Sequence, residues 1–280
     1  CIRDRDFLGR DGDGPDARYR NTPETAAFLS RHSQQYIGGM ANMLNERLYG
    51  FWGDLGEALR TGQPQNEIKH TGKPMFEEVY ADPERLGTFL SAMSGIQAGN
   101  IDVLATVFDF SRYRTVADIG GALALLSRIL AHHHPHLSFK TFDLPVVAPH
   151  AQQHIDEAGL GDRIEVLSGD FFVDDLPRAD VITMGNILHD WSEEKKQLLI
   201  SKAFDALPAG GALIAVENVI DDARRENAFG LMMSLNMLIE FGDAFDYTGA
   251  QFRRWCTGAG FTRCEILPLA GPASAAIAYK

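Results

Sequence analysis

Cysteine is scarce in this 280-residue chain, which contains only three. Cys1, Cys256 and Cys264 cannot build a disulfide framework, and none lies in a Cys-x-x-Cys pair or at zinc-binding spacing from histidines. The scarcity excludes the small disulfide-rich secreted proteins and any cysteine-based zinc site. It favours a protein of the reducing cytoplasm.

Positive charge and long apolar runs are also lacking. The chain has 26 Lys and Arg against 38 Asp and Glu, a net charge of −12, so no basic stripe is left to neutralise a nucleic-acid backbone. No apolar run reaches the roughly 18 residues of a membrane span, and no charged and then apolar leader opens the chain. We therefore expect a soluble protein that acts on small molecules, not on nucleic acid or at a membrane.

Two segments of different character begin the chain. Residues 1–22 are rich in charge, and Arg10-Asp11-Gly12-Asp13-Gly14-Pro15 predicts a hairpin cut from a larger unit, with a disordered tail as the alternative. Residues 23–112 carry apolar side chains at helical spacing, and Thr22-Pro23 is a plausible helix start. A loop is expected over residues 70–74.

Residues 113–280 alternate short β-branched runs with amphipathic stretches, which is typical of an α/β fold with a parallel sheet. The predicted strands are residues 115–119, 138–142, 164–167, 179–184, 212–217, 262–267 and 275–278, with a helix over 225–240. The last two strands are separated by too few residues for a helical crossover, so they should pair antiparallel. A sheet that is parallel except for its last strand differs from the six-stranded dinucleotide fold, which normally ends parallel.

Acidic residues end three successive predicted strands. Asp118 is followed by Gly120 and Gly121, whose missing side chains let the backbone approach a ligand, and Asp143 and Asp170 end the next two strands. Because the carboxyl ends of parallel strands meet at one edge, these acids predict a nucleoside-binding crevice. No basic residue near the turn is available to hold a pyrophosphate. An acidic crevice suits S-adenosylmethionine, which has no phosphate and carries a positive sulfonium.

Five blocks of sequence occur together in one known family. They are Asp11-Gly12-Asp13-Gly14 with Tyr19-Arg20-Asn21-Thr22-Pro23, Asp118-Ile119-Gly120-Gly121, Phe142-Asp143-Leu144-Pro145, Gly169-Asp170-Phe171-Phe172 and Ile187-Leu188-His189-Asp190-Trp191-Ser192. Over nearly its whole length the chain resembles the small-molecule O-methyltransferases related to caffeate, hydroxyneurosporene and acetylserotonin methyltransferases. The resemblance implies a class I methyltransferase with a Rossmann-like α/β sheet, S-adenosylmethionine as cofactor and a small-molecule acceptor with a hydroxyl group.

The same resemblance implies the domain organisation. Residues 1–22 would be what remains of the wing of a winged-helix dimerisation region, and the rest of that region would be missing. Residues 23–112 would form a helical segment for dimerisation and for covering the substrate. Residues 113–280 would form the catalytic domain that binds S-adenosylmethionine, and the protein would be a homodimer.

The resemblance also implies which residues act. His189 would be the general base, with Glu217 and Asp246 as its carboxylate partners. Complete proton transfer from a phenol of pKa ~10 to a histidine of pKa ~6.5 would cost roughly 5 kcal/mol, so we expect concerted transfer or carboxylates that raise the basicity of the ring. The implied cofactor contacts are Asp118, Gly120, Gly121, Asp143, Leu144, Asp170, Phe171 and Gly185. The implied acceptor pocket comprises Phe89, Met93, Asp190, Met237 and Glu240.

Two departures from the family bear on the cofactor. Ala122 and Ala124 stand where the family usually has glycine, and their methyl groups narrow the loop beside the methionine moiety. The lysine or arginine that often lies three residues before the His-Asp-Trp block is absent. We therefore expect cofactor binding to be shifted or weakened. Two alternatives to O-methylation stay open, namely an S- or N-methyltransferase on the same scaffold and a catalytically silent member.

Two charged clusters have simpler interpretations than a site. The histidines fall where the first helix of the α/β region ends, a position that favours cations, so no metal site is predicted. They are His132, His133, His134 and His136. The run Glu193-Glu194-Lys195-Lys196 is interpreted as a solvated first helical turn.

Overall fold

The computed structural model describes residues 6–33, 36–73 and 75–280. Cys1 and Pro74 of the predicted loop lie outside the described residues. The strands are β1 (Leu8–Asp11), β2 (Arg18–Asn21), β3 (Thr115–Ile119), β4 (Ser138–Asp143), β5 (Ile164–Ser168), β6 (Val181–Gly185), β7 (Ala212–Glu217), β8 (Arg263–Pro268) and β9 (Ser274–Tyr279). The helices are α1 (Pro23–Phe28), α2 (Gly38–Met43), α3 (Tyr49–Trp52), α4 (Leu55–Thr61), α5 (Ile68–Thr71), α6 (Met75–Tyr80), α7 (Pro83–Val107), α8 (Leu125–His133), α9 (Ala148–Glu157), α10 (Glu193–Ala206), α11 (Ala228–Phe241) and α12 (Gly249–Ala259).

A hairpin precedes the helices. β1 and β2 pair antiparallel, so the predicted hairpin is present, while its assignment to a wing stays a prediction. The first helix begins where the sequence indicates, because the Thr22 side chain accepts a hydrogen bond from the backbone N–H of Thr25 at 3.3 Å and Pro23 occupies the first helical position.

One helical turn replaces part of the predicted loop. His70 lies in α5, so the expected loop over residues 70–74 is wrong at this position. Gly72 ends the turn with a φ of 75°, a left-handed conformation that glycine adopts without strain. A four-residue helix is too short to show a helical period in the sequence. Gly72, which ends it, predicts a loop when it is considered without such a period.

The sheet confirms the predicted fold class. Within the described residues, seven strands join in the order β5-β4-β3-β6-β7-β9-β8. β3 to β7 are mutually parallel, and β9 runs antiparallel to both of its neighbours, β7 and β8. The order reverses between β3 and β6, which opens a crevice at the carboxyl edge of the sheet.

Helices cover both faces of this sheet, because successive strand residues point to opposite sides. Val116 and Val181 face a core that includes residues of α7, α8 and α9. Ala117 and Ile182 face a second core that includes residues of α10 and α12. β7 is buried along its whole length, as a strand inside a two-faced parallel sheet should be. Among the described residues, no helix is long and apolar enough to cross a membrane.

Candidate active site

The turn after β3 is packed tightly against its own chain. Gly120 has a φ of 68°, and a Cβ at this position would lie 2.2 Å from Ile187 Cδ1. A Cβ on Gly121 would lie 2.0 Å from Thr141 Oγ1. Internal packing thus requires glycine at Gly121, while the positive φ favours glycine at Gly120, whatever ligand the turn approaches.

The two alanines that follow adopt a backbone conformation suited to glycine. Ala122 has a φ of 47° and Ala124 a φ of 55°. A left-handed conformation costs an L-residue roughly 1–2 kcal/mol. The turn therefore keeps the shape that glycines would give it, at a cost in stability.

Two of the predicted strand-end acids are engaged with the chain. Asp118 is buried and accepts a hydrogen bond from Thr183 Oγ1 at 2.8 Å, and burial raises its pKa to about 7. The Asp143 carboxylate accepts hydrogen bonds from the backbone N–H groups of Ala122, at 2.9 Å, and of Leu144, at 2.7 Å. Asp143 thereby fastens the turn after β3 to the end of β4.

The other predicted cofactor contacts follow β5 and β6. Asp170 accepts a hydrogen bond from the backbone N–H of Phe172 at 2.8 Å, and the rings of Phe171 and Phe172 lie 4.8 Å apart between centroids. Gly185 ends β6, where a Cβ would lie 3.5 Å from Gln97 Nε2 of α7. Gln97 Oε1 is buried without a hydrogen-bond partner among the described residues. Sequence reasoning missed Gln97, because a single polar residue within a long helical pattern carries no motif.

Four ionisable residues meet just beyond β6. His189 lies in a short 3-10 turn, Leu188–Asp190, and is buried. Its Nε2 lies 3.3 Å from Asp190 Oδ1 and its Nδ1 lies 3.4 Å from Asp246 Oδ1. Glu217 Oε1, at the end of β7, accepts hydrogen bonds from the backbone N–H groups of Ile187, at 3.1 Å, and of His189, at 3.2 Å. Asp190 and Asp246 therefore flank the ring, while Glu217 holds the backbone of the turn.

Burial and charge act in opposite directions on this cluster. Burial by itself lowers the pKa of His189, yet the charges of Asp190 and Asp246 raise it to about 10. Burial raises the pKa of Asp190 to about 7, against the opposing effect of His189. Burial also raises the pKa of Glu217. His189 is consequently much more basic than a solvated histidine.

Lys196 does not lie where the sequence interpretation put it. The residue is fully buried, so the expected solvated turn is wrong at this position, although Lys195 is exposed. Lys196 belongs to α10, on the face that also carries Leu199, Ile200 and Ala203. This three- and four-residue spacing was the signal that could have found it.

An aromatic cluster surrounds Phe76 of α6 at this end of the sheet. Its rings lie with their centroids 5.5 to 6.3 Å from that of Phe76. They are Tyr80, Phe89, Trp191 and Phe241. Burial, and then the charges of Asp143 and Asp190, raise the pKa of Tyr80 above its ordinary value, so the cluster lies between the acids of the crevice and the turn of His189. Of its members only Phe89 was predicted.

The remaining predicted pocket residues lie on two helices. Met93 is half-buried on α7, and Met237 is buried on α11. Glu240, also buried on α11, forms an ion pair with Arg47, whose Nη1 lies 2.6 Å from Glu240 Oε1. The Glu240 carboxylate is thus already engaged within the chain.

The histidines near the end of α8 contact the segment that leads into the sheet. Their Nε2 atoms lie 3.3 Å from Asp102 Oδ1 for His133, 3.0 Å from the Ala105 carbonyl for His134 and 3.2 Å from the Phe110 carbonyl for His136. These contacts tie the end of α8 to the end of α7 and the residues that follow it.

Known proteins share the sequence pattern and the fold of this chain. Residues 52–262 match the family model of the O-methyltransferase domain. The chain belongs to the S-adenosylmethionine-dependent O-methyltransferase family.

The tetracenomycin polyketide synthesis 8-O-methyl transferase TcmO of Streptomyces glaucescens is 38% identical to this methyltransferase, over 98% of this chain and 79% of its own length. The N,N-dimethyltransferase OxyT of Streptomyces rimosus is 33% identical over 91% of this chain and 73% of its own. The crystal structure of human N-acetylserotonin methyltransferase in complex with S-adenosylmethionine has a TM-score of 0.91 and 26% identity, covering 100% of this chain and 80% of that one.

The residues at the crevice of this methyltransferase fit a cationic cofactor. Asp118, Asp143 and Asp190 are acids at or near this edge, and in the described part of the chain no lysine or arginine forms an ion pair with any of them. Such an edge attracts a sulfonium and would repel a pyrophosphate. Gln97 Oε1, which is buried and has no hydrogen-bond partner within the described ranges, adds an acceptor close to the end of β6. S-adenosylmethionine is the cofactor of the family, and the chemistry of these residues agrees with it.

Proposed function

We propose that this methyltransferase methylates a phenolic hydroxyl, with His189 as the general base. One observation carries the proposal: Asp190 and Asp246 flank the His189 ring, 3.3 Å from Nε2 and 3.4 Å from Nδ1, and their charges raise its pKa to about 10. A phenol has a pKa near ~10, so the transfer of its proton to a neutral imidazole of this basicity is nearly balanced. The neutral imidazole is the minor form near neutral pH, so the rate should rise with pH.

The chain's own residues would remove and hold the proton. Bound S-adenosylmethionine supplies the methyl group and leaves as a neutral thioether. The neutral imidazole of His189 accepts the proton of the acceptor O–H as the oxygen bonds to carbon, and Asp246 stabilises the imidazolium that results. We assign the proton transfer to Nε2, because it lies on the more accessible side of the ring. Nδ1 faces the Asp246 side chain, which is 1% exposed, whereas Nε2 faces the Asp190 side chain, which is 16% exposed.

We propose a flat, polycyclic phenol as the acceptor. The aromatic cluster of Phe76, Tyr80, Phe89, Trp191 and Phe241 offers ring faces and edges beside the His189 turn, and planar aromatic ligands bind such surfaces by stacking and edge contacts. The 3-hydroxy-5-methyl-1-naphthoate 3-O-methyltransferase of Streptomyces sahachiroi, which is 34% identical over 92% of this chain, is named for an acceptor with two fused rings, and this agrees with the proposal.

The test is methyl transfer from radiolabelled S-adenosylmethionine to a panel of naphthols and larger polycyclic phenols. We expect His189→Asn to lower kcat by about 10²- to 10⁴-fold while calorimetric affinity for S-adenosylmethionine is retained. His132→Asn, at an exposed histidine on α8, serves as the matched control. Undiminished transfer by His189→Asn would rule out the base.

N-methylation is a second candidate, favoured by the 33% identity to the N,N-dimethyltransferase OxyT. A neutral amine attacks with its own lone pair and loses a proton only after methylation, so it does not need a base for the attack. Transfer to amines that survives His189→Asn would favour this candidate, and S-methylation of a thioether would behave in the same way. A folded protein that does not bind S-adenosylmethionine would instead be a catalytically silent member.

We also propose that two copies pair through the N-terminal segments. Residues 1–22 would belong to a winged-helix wing, residues 23–112 to a helical dimerisation and lid segment, and residues 113–280 to the catalytic domain. The support is a set of exposed large apolar side chains, which pairing would bury. They are Phe28, Leu29, Ile37, Leu44, Tyr49 and Leu59. Sedimentation should show a dimer that Leu44→Arg with Tyr49→Arg dissociates, and a monomeric wild type would contradict the proposal.

A further inference from the structure

A buried ammonium group lies beside the His189 cluster. Lys196 is 0% exposed, on the apolar face of α10 that packs against the sheet. Lysine is almost never fully buried without a partner, because removing a charge from water costs several kcal/mol. The contacts that compensate for this burial indicate what the side chain does.

Both contacts of Lys196 are made to segments that carry the carboxylates beside His189. Its Nζ donates a hydrogen bond to the Trp191 carbonyl, in the residue directly after Asp190. The same atom lies 3.7 Å from the ring centroid of Phe245, the residue directly before Asp246. One ammonium group therefore joins the two stretches of chain that flank the imidazole.

We propose that Lys196 is a positioning residue for methyl transfer, whose buried ammonium holds the turn of Asp190 and the loop of Asp246 around His189. The effect of Lys196 on the reaction rests on the proposed role of His189 as the base. The coupling between Lys196 and His189 does not depend on that role. The sequence places Lys196 only in a charged run and gives it no role.

The charge of Lys196 lies among the same carboxylates as the imidazole of His189. Four carboxylates face Lys196 and act to raise its pKa, namely Glu217, Asp246, Asp190 and Asp243. Burial outweighs their effect and lowers the pKa of Lys196 to about 8. Asp190, Asp246 and Glu217 also face His189, and they favour the imidazolium. A positive charge in the same cluster opposes them, so Lys196 increases the share of neutral imidazole that can accept a proton.

The first experiment observes the ring of His189 by NMR, with its resonances assigned from their loss in His189→Asn. Lys196→Met keeps the length of the side chain and removes the ammonium group that contacts Trp191 and Phe245, so we expect the ring resonances of His189 to shift at pH 7, where Lys196 is charged. Lys202→Met is the matched control, because Lys202 lies on the same helix with its Nζ on the exposed carbonyl of Asp174. Ring resonances of His189 that are unchanged at pH 7 in a folded Lys196→Met variant would overturn the proposal.

The second experiment follows methyl transfer. Because Lys196 is mostly charged at pH 7.5, removing its charge leaves less neutral imidazole at that pH, and kcat of Lys196→Met should fall about tenfold there. KM for S-adenosylmethionine should change little, and the deficit should shrink as the pH rises above 8, where Lys196 of the wild type loses its charge as well. A loss of kcat that is the same at every pH would mean a structural role only and would overturn the proposal. If His189→Asn leaves methyl transfer intact, the assignment of His189 as the base fails. The NMR measurements still decide the role of Lys196 in that case.

A reciprocal measurement covers the case in which Lys196→Met does not fold. Coupling between two titrating groups is mutual, so His189→Asn should raise the pKa of Lys196, observed at its Cε by NMR in an otherwise native chain. A Lys196 titration that is identical in wild type and His189→Asn would overturn the proposal without any substitution at Lys196.

Discussion

Asp246 and Asp190 flank the imidazole of His189, with Asp246 beside Nδ1 and Asp190 beside Nε2. The Asp246 side chain is almost wholly buried, so its charge is poorly screened by solvent and acts on Nδ1 with most of its strength. Asp190 is more accessible, and burial raises its pKa to about 7. Near neutral pH the Asp190 carboxylate is therefore only partly ionised.

Asp246→Asn should lower the pKa of His189 from its raised value of about 10 towards 6.5, because one of the two flanking charges is removed. NMR titration of the His189 ring is the measurement. Asp205→Asn is the control, since Asp205 is an exposed acid of α10. A ring that titrates alike in Asp246→Asn and in wild type would show that Asp246 does not set its basicity.

The stability of the protein should also report on Lys196. Its pKa falls from about 10.5 to about 8 on folding, so between these values the unfolded chain binds more protons than the native one, and this group alone makes stability rise with pH. Wild type should therefore gain free energy of unfolding relative to Lys196→Met as the pH rises from 8 to 10.5. Urea unfolding at several pH values tests this, and a difference that stays constant over the range would contradict it.

At the scale of single elements, the turn between β3 and α8 combines strain with tight contact. Ala122 and Ala124 both have a positive φ, but their side chains differ, because Ala122 is partly exposed and Ala124 is fully buried. Asp143 holds the backbone N–H of Ala122 and so keeps the strained turn in place. The strain is thus maintained by a specific hydrogen bond to the neighbouring strand.

Ala122→Gly should raise the free energy of unfolding by about 0.5–1 kcal/mol, since relief of the left-handed strain exceeds the added flexibility of the unfolded chain. Ala124→Gly should change it little, because the loss of a buried methyl group, about 0.8 kcal/mol, offsets the relief. Urea denaturation of both variants is the measurement. Equal effects of the two substitutions would mean that backbone strain does not dominate at this turn.

At the scale of the whole molecule, one ion-pair network joins the N-terminal helices to the catalytic part of the chain. Arg47 donates hydrogen bonds of 2.5 to 2.6 Å to both oxygens of Glu67 and of Glu240. Asn66 Nδ2 adds a hydrogen bond of 2.6 Å to the Glu240 carbonyl. All three charged side chains are less than one-fifth exposed, so the guanidinium compensates two largely buried carboxylates.

Arg47→Met should therefore lower the free energy of unfolding by about 3–5 kcal/mol, because it leaves two buried carboxylates without a partner. Combining it with Glu67→Gln and Glu240→Gln should restore part of the loss. Arg60→Met, at an exposed arginine of α4, should change stability by less than about 0.5 kcal/mol. Arg47→Met that unfolds like Arg60→Met would show that the network does not join the two parts.

The sequence by itself determined the class of fold, the antiparallel final pair and the acids at the ends of the strands. These features are local, since strand alternation, glycine turns and the length of a connection act within a few residues. The His-Asp-Trp block likewise marks His189 without reference to its neighbours in space. A cytoplasmic location and a homodimer are still predictions from the sequence.

Only the tertiary structure decided which charges meet. Asp246 lies beside His189, although it is 57 residues away in the sequence. Glu217 holds the backbone of the His189 turn and not the ring. Lys196 is buried against Trp191 and Phe245. Such contacts depend on how helices pack on the sheet, which no short-range pattern encodes. Because charge interactions strengthen as water is excluded, it is this packing that makes His189 basic.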